Sequence, residues 1–144
     1  MTLDHLRQAA SSRGISQDLA GAVLDNDWFQ TGTLLQEADA QAGRTLRYTE
    51  VRLLLEVAGQ RMCPTRERVR QCRSVCGHFV ASGLNRQQAR GVPLETARVL
   101  CQHHRKGRMT TREFVRTVAH VQKARPRAAA VRTPEGLRSV LATA

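Results

Sequence analysis

Aromatic residues are scarce in this sequence, which has one Trp, one Tyr and three Phe, or 3% of its residues. The core must therefore be built mainly from Leu, Val and Ala, which pack well between helices. Single-strand binding proteins stack bases on exposed rings, but the second half contains only Phe79 and Phe114 for this role, both on expected core faces. The composition predicts an all-α protein, a small multi-helix bundle.

Long apolar runs are also missing. No stretch approaches the roughly 18 consecutive apolar residues of a membrane helix, and the first residues lack the apolar stretch of a secretory signal. We therefore expect a cytoplasmic protein that does not enter the membrane. In that compartment its four Cys are expected to be free of disulfides.

Catalytic motifs are absent. The sequence has no Gly-rich phosphate loop, no nucleophile elbow and no carboxylate pair in the basic half, where an anionic substrate would bind. We expect a protein that is not an enzyme and uses no cofactor.

Seven Cys and His residues could in principle bind a metal: Cys63, Cys72, Cys76, His78, Cys101, His103 and His104. No C-x₂-C pair occurs among them, and Cys72 and Cys76 fall on one apolar helical stripe. This spacing favours buried core thiols over a zinc site. Metal binding and redox sensing remain alternatives.

The charge is distributed unevenly along the chain. Residues 1–60 hold five Arg and eight acids, a balance of −3, whereas residues 61–144 hold 18 bases and four acids, a balance of +14. Such a basic segment repels itself unless a polyanion is near. A genome that prefers Arg codons is the alternative explanation. It explains why the basic residues are Arg rather than Lys better than it explains their uneven distribution along the chain.

The charge pattern suggests three segments. Residues 1–60 form an acidic helical half, 61–124 a basic helical half that binds nucleic acid, and 125–144 a basic linker with a short terminal helix. Trp28, Phe29 and Leu53 offer apolar surface in the acidic half. We therefore expect this half to oligomerise and the protein to be a homodimer.

Capping signals and apolar periodicity predict the helices. Ser16, Asp27 or Thr33, Thr49, Asn85 and Thr110 are candidate caps. The expected spans are about 2–12, 17–26, a third that Gly43 ends, 50–61, 65–82, a short one after Asn85, 93–105, 111–123, and a terminal one after Thr133.

Residues 85–105 resemble a helix-turn-helix unit: a capped short helix, a Gly91-Val92 turn, and a helix with polar residues on its outer side. Arg98, Gln102 and Arg105 share that side, and Arg and Gln can each bond a base edge through two contacts. The first helix is shorter than usual for this motif. A generic basic face and an ordinary solvated surface are the alternatives.

These features predict a DNA-binding regulatory or accessory protein of a nucleoprotein complex, which meets duplex DNA through its basic helices. The alternatives are a helical adaptor or inhibitor that docks on an acidic protein, a helical subunit of an RNA–protein machine, and a metal- or redox-sensing regulator. The residues expected to contact nucleic acid are Arg66, Arg70, Arg73, Arg86, Arg90, Arg98, Gln102, Arg105, Lys106, Arg108, Arg112, Arg116, Lys123, Arg125 and Arg127.

Overall fold

A computed structural model describes residues 14–132, with the side chains of residues 14–124. Within this range the chain forms helices and no strands, which confirms the all-α prediction. The helices are α1 Ile15–Leu24, α2 Trp28–Ala42, α3 Tyr48–Val57, α4 Arg66–Ala81, α5 Arg86–Ala89, α6 Leu94–Arg105 and α7 Thr111–Arg132. The helices predicted over 2–12 and after Thr133 lie outside the described residues.

The chain forms two compact units that divide between Val80 and Ala81. The first contains α1 to α4 and the second α5 to α7. This structural boundary lies one helix later than the change of charge at residue 60, because α4 packs with the helices that precede it.

The core of the first unit lies between α1, α2 and α3. Leu19, Leu35 and Leu54 are each at most 1% exposed in one continuous apolar cluster. Burial of a Leu side chain contributes about 1.5–3 kcal/mol, so this cluster is the main source of the unit's stability.

The two aromatic residues of α2 lie inside the first unit. Trp28 and Phe29 are buried, and the ring of Trp28 packs edge-on against Phe79 of α4, with centroids 5.1 Å apart. These two side chains therefore do not provide the exposed apolar surface on which the expectation of a dimer rested. The homodimer stays a prediction.

The ends of α2 follow the predicted signals, but two other predicted caps are wrong. Asp27 accepts a hydrogen bond from the amide of Gln30 at 3.0 Å, and Gly43 ends the helix at φ 73°. Ser16 instead lies inside α1 and is buried, because the chain turns at Gly14 and starts the helix at Ile15. Thr49 lies inside α3, which begins after Arg47.

Helices α2 and α4 approach each other closely at Gly32. A Cβ atom on this residue would lie 2.5 Å from the carbonyl oxygen of Cys72 and 2.5 Å from Cβ of Cys76. Thr33 Oγ1 and Cys76 Sγ are 3.5 Å apart on the same contact. The two helices therefore pack almost backbone to backbone, which no residue larger than Gly permits.

In the second unit, α7 packs against both α5 and α6. Phe114 and Val118 of α7 and Ala97 of α6 are fully buried, and His104 stacks on Phe114 with ring centroids 4.9 Å apart. The predicted capping box at Asn85 is present, since its side chain accepts from the amide of Gln88 at 3.0 Å. This small core fixes the outward faces of α6 and α7.

Helix α7 continues to Arg132, through the stretch after Lys123 that the sequence predicted as a linker. The prediction relied on the missing apolar stripe and on Pro126, which removes one helical hydrogen bond. Ala has the highest helix propensity of any residue type. The three Ala residues at 128–130 therefore favour continuation of the helix. The linker prediction is therefore wrong for residues 125–132.

We predict that Gly32→Ala destabilises the first unit by at least about 1–3 kcal/mol, because its methyl group overlaps α4. Gly21→Ala is the matched control, since Gly21 is helical and a Cβ there meets no atom within 4 Å. It should stabilise the protein by about 0.4–1 kcal/mol. Urea unfolding of both variants measures the difference, and an unchanged midpoint for Gly32→Ala would contradict the packing.

We also predict an acid-sensitive contribution from Glu50, which is 4% exposed and accepts two 2.7 Å hydrogen bonds from Arg44. The Arg44 hydrogen bonds are the main cause that lowers the pKa of Glu50 to about 2, with a further bond from the Arg47 amide, against the opposing effect of burial. Because the folded pKa is below the unfolded value, this stabilisation is present above about pH 5 and is lost as the pH falls towards 2.

Glu50→Gln should therefore lower the urea midpoint most at neutral pH and progressively less below pH 5. Glu37→Gln is the control, because Glu37 is exposed on α2 and forms no ion pair within residues 14–124. If Glu50→Gln lowered the urea midpoint equally at pH 7 and pH 2.5, the carboxylate charge would not be the cause of the stabilisation.

Candidate nucleic-acid interface

The two units differ sharply in net charge. Residues 1–80 hold ten basic and nine acidic residues, a balance of +1, whereas residues 81–144 hold 13 basic and three acidic residues, a balance of +10. The structural boundary therefore isolates the excess positive charge more completely than the division at residue 60. The second unit is therefore the better candidate for a nucleic-acid interface.

The three Arg residues predicted on α4 belong to the first unit, where two of them pair with acids. Arg73 donates to both carboxylate oxygens of Asp39, at 2.9 and 3.1 Å, and to the carbonyl of Leu46, and its side chain is only 20% exposed. Arg70 pairs with Glu67 on the surface of the helix. The structure therefore assigns Arg73 to the packing of α4.

Arg66 has yet another environment. Its guanidinium lies 5.2 Å from the centre of the Tyr48 ring, in a cation–π contact. Its side chain is exposed, so the contact does not remove its charge from solvent. Of the three α4 residues, Arg66 alone is exposed and bound to no acid within the described residues.

Helix α7 carries a row of exposed cations. Arg112, Arg116 and Lys123 lie within about 40° of one another around the axis and span about 16 Å along it. None of them forms an ion pair within residues 14–124, and the buried Phe114 and Val118 face the other way. We refer to Arg112, Arg116 and Lys123 as the α7 row.

The turn between α6 and α7 adds cations next to this row. Arg105, Lys106 and Arg108 are exposed there, and Gly107 takes the left-handed conformation, at φ 72°, that lets the chain reverse. The amide of Arg108 bonds the carbonyl of His103 at 2.9 Å, so the backbone of the turn is ordered by its own hydrogen bonds. Exposed Arg86 and Arg90 flank α5 in the same unit.

The outer side of α6 differs from its prediction. Gln102 is exposed as expected, but Arg98 lies at the flank of the buried stripe, its side chain is 36% exposed, and its Nε is enclosed without a hydrogen-bond partner. Its terminal nitrogen pairs with Glu95 at 3.3 Å. The middle of the outer face is instead formed by Glu95, Val99, Gln102 and Lys106.

Val99 was missed by the sequence prediction, although it is 43% exposed in this polar surrounding. Helical periodicity alone could have found it, because Val99 lies about 140° around the axis from the buried Leu94. An apolar side chain is ordinarily expected in the core, so its residue type did not indicate a surface position.

The short helix, turn and longer helix follow one another as predicted for residues 85–105. Helix α5 has only four residues, and α6 begins directly after Pro93. The first helix is a single turn, and the helix-turn-helix assignment stays a prediction. The side chains of Arg125 and Arg127, on the extension of α7, lie outside the described residues.

The Cys residues on helices are core thiols. Burial raises the pKa of Cys72 to about 11 and that of Cys101 to about 12, and it also raises the pKa of Cys76. All three are buried, as the apolar stripes predicted, whereas Cys63 is partly exposed. No group of three potential metal ligands occurs among the described residues.

Exposed aromatic platforms for single strands are missing from the described part of the second unit. Phe114 is fully buried, and Phe79, on α4 of the first unit, is fully buried as well. Stacking of unpaired bases therefore has no site on this surface.

Comparison of the sequence and the structure with family models, curated proteins and solved structures gives no match. Among residues 14–132, no helix is both long and apolar enough to cross a membrane.

The two α4 residues Arg73 and Arg70 provide a test of which cations serve the fold. Arg73→Ala should lower the free energy of unfolding by about 1.5–3 kcal/mol, because it leaves the half-buried Asp39 without its charged partner. Arg70→Ala, on the exposed surface of the same helix, should change it by no more than about 0.5 kcal/mol. Equal effects in urea unfolding would contradict the structural role of Arg73.

Proposed function

We propose that this protein binds duplex DNA through its second unit, as a regulatory or accessory component of a nucleoprotein complex. The single observation that supports this function best is the concentration of charge: a balance of +10 in residues 81–144, against +1 in the rest of the chain. A unit with this excess is stabilised when a polyanion neutralises it.

The α7 row supplies the phosphate contacts in this proposal. Its three cations form no ion pair within residues 14–124, and its length of about 16 Å covers several phosphates along a strand. Arg105, Lys106 and Arg108 extend the positive surface at the start of α7. Each cation that meets a phosphate releases condensed counterions, which makes binding strongly dependent on salt.

A duplex is favoured over a single strand because Phe114 is part of the core and cannot stack on a base. The phosphates of a DNA duplex are regularly spaced on a rigid double helix. They therefore match the cations of the α7 row, which a rigid α-helix holds in line. The polar outer face of α6 lies in the same unit and can approach base edges.

The test is a salt titration of binding to a labelled random duplex. Arg112→Ala with Arg116→Ala should reduce the slope of log K against log [salt] by about two, one for each lost phosphate contact. The double variant Arg52→Ala with Arg61→Ala is the matched control, since it removes the same charge from exposed positions of the first unit. It should leave the slope near the wild-type value.

Three results would contradict the proposal. Affinity that hardly changes between low and moderate salt would exclude phosphate binding as its basis. Stronger binding to an RNA duplex than to DNA of the same sequence would favour the RNA–protein alternative. Association with an acidic protein that persists after nuclease treatment, without any binding to duplexes, would favour the adaptor alternative.

A further inference from the structure

The outer face of α6 combines side chains that could distinguish one base pair from another. Glu95, Val99, Gln102 and Lys106 are all exposed and lie within a sector of about 60°, along about 16 Å of helix. The opposite side, with Leu94, Ala97 and Cys101, is buried in the core of the second unit. The four exposed residues form one ridge, here called the α6 ridge.

The middle of the α6 ridge pairs an amide with an apolar side chain. Gln102 can form two hydrogen bonds with the N6 and N7 atoms of adenine, and an apolar side chain can contact the methyl group of thymine. Residues three apart on a helix have Cβ atoms about 5–6 Å from each other, and successive base pairs rise about 3.4 Å. Val99 and Gln102 can therefore reach the same base pair or neighbouring ones.

Arg98 has a different role from the base contact that the sequence suggested. Its bond to Glu95 holds it at the edge of the ridge, where its Nε is enclosed. There it offsets the negative charge of Glu95, the acid on the ridge that would otherwise repel phosphate. Lys106 adds a positive charge at the other end of the ridge.

We propose that the α6 ridge enters the major groove and favours sites with A·T pairs, through Gln102 on adenine and Val99 on the thymine methyl. This inference rests on the proposed function, since it requires that the second unit binds duplex DNA. The occupant is argued from charge complementarity: the ridge lies on a unit of net charge +10, and exposed Arg105 and Arg108 lie at its end.

The experiment begins with selection of preferred duplexes from a random pool, followed by replacement of single atoms in the selected site. Deoxyuridine in place of thymidine removes the methyl group, and 7-deazaadenine removes the N7 acceptor. For the wild-type protein we expect A·T pairs to be enriched, a loss of about threefold with deoxyuridine, and a loss of roughly fivefold or more with 7-deazaadenine.

Each variant should lose sensitivity to one analogue only. Val99→Ala should bind the thymidine and deoxyuridine sites with similar affinity but still discriminate against 7-deazaadenine, and Gln102→Ala should show the reverse. Both positions are exposed, and circular dichroism with thermal unfolding verifies that the variants are folded. Arg108→Ala is the control, which should weaken binding to every duplex without changing either discrimination.

The failures are distinguishable. Salt-dependent binding without any enriched sequence, or enrichment that both variants leave unchanged, would overturn the α6 ridge and leave the proposed function standing. Absence of binding to any duplex at low salt would overturn the proposed function and this inference together.

Discussion

The first unit is organised by the contact between α2 and α4 at Gly32. With no side chain at this position, the two backbones come close enough for the Cys72 carbonyl and the Cys76 Cβ to fill the space that a methyl group would occupy. The same approach brings Trp28 against Phe79 and places Thr33 beside Cys76. The packing of Trp28 on Phe79 and the burial of Cys72 and Cys76 are therefore parts of one contact between α2 and α4.

The position of α4 also decides which cations are available. Because α4 packs into the first unit, Arg73 meets Asp39 and its charge is used within the fold. The second unit has few acids, so the cations of the α7 row have no comparable partners among the described residues. Arg73 thus serves packing in the first unit, whereas Arg112 and Arg116 form no ion pair within residues 14–124.

Local signals were sufficient to predict much of the helical structure. The Asn85–Gln88 capping box, the cap at Asp27 and the stop at Gly43 were recognisable because each depends on residues within one turn of the chain. Ser16 and Thr49 were mistaken for caps because their side chains suit that role, while burial of neighbouring apolar residues set the true start of each helix. The extension of α7 through Pro126 likewise depends on more than the local breaker signal.

The sequence by itself determined the all-α class, the excess of positive charge after residue 60, and the periodicity that buries Phe114 and exposes Gln102. These properties follow from composition and helical geometry, which require no knowledge of distant residues. Only the tertiary structure decided that Arg73 pairs with Asp39 and that Trp28 packs against Phe79. The difference arises because the availability of a side chain depends on which residues, distant in sequence, pack beside it.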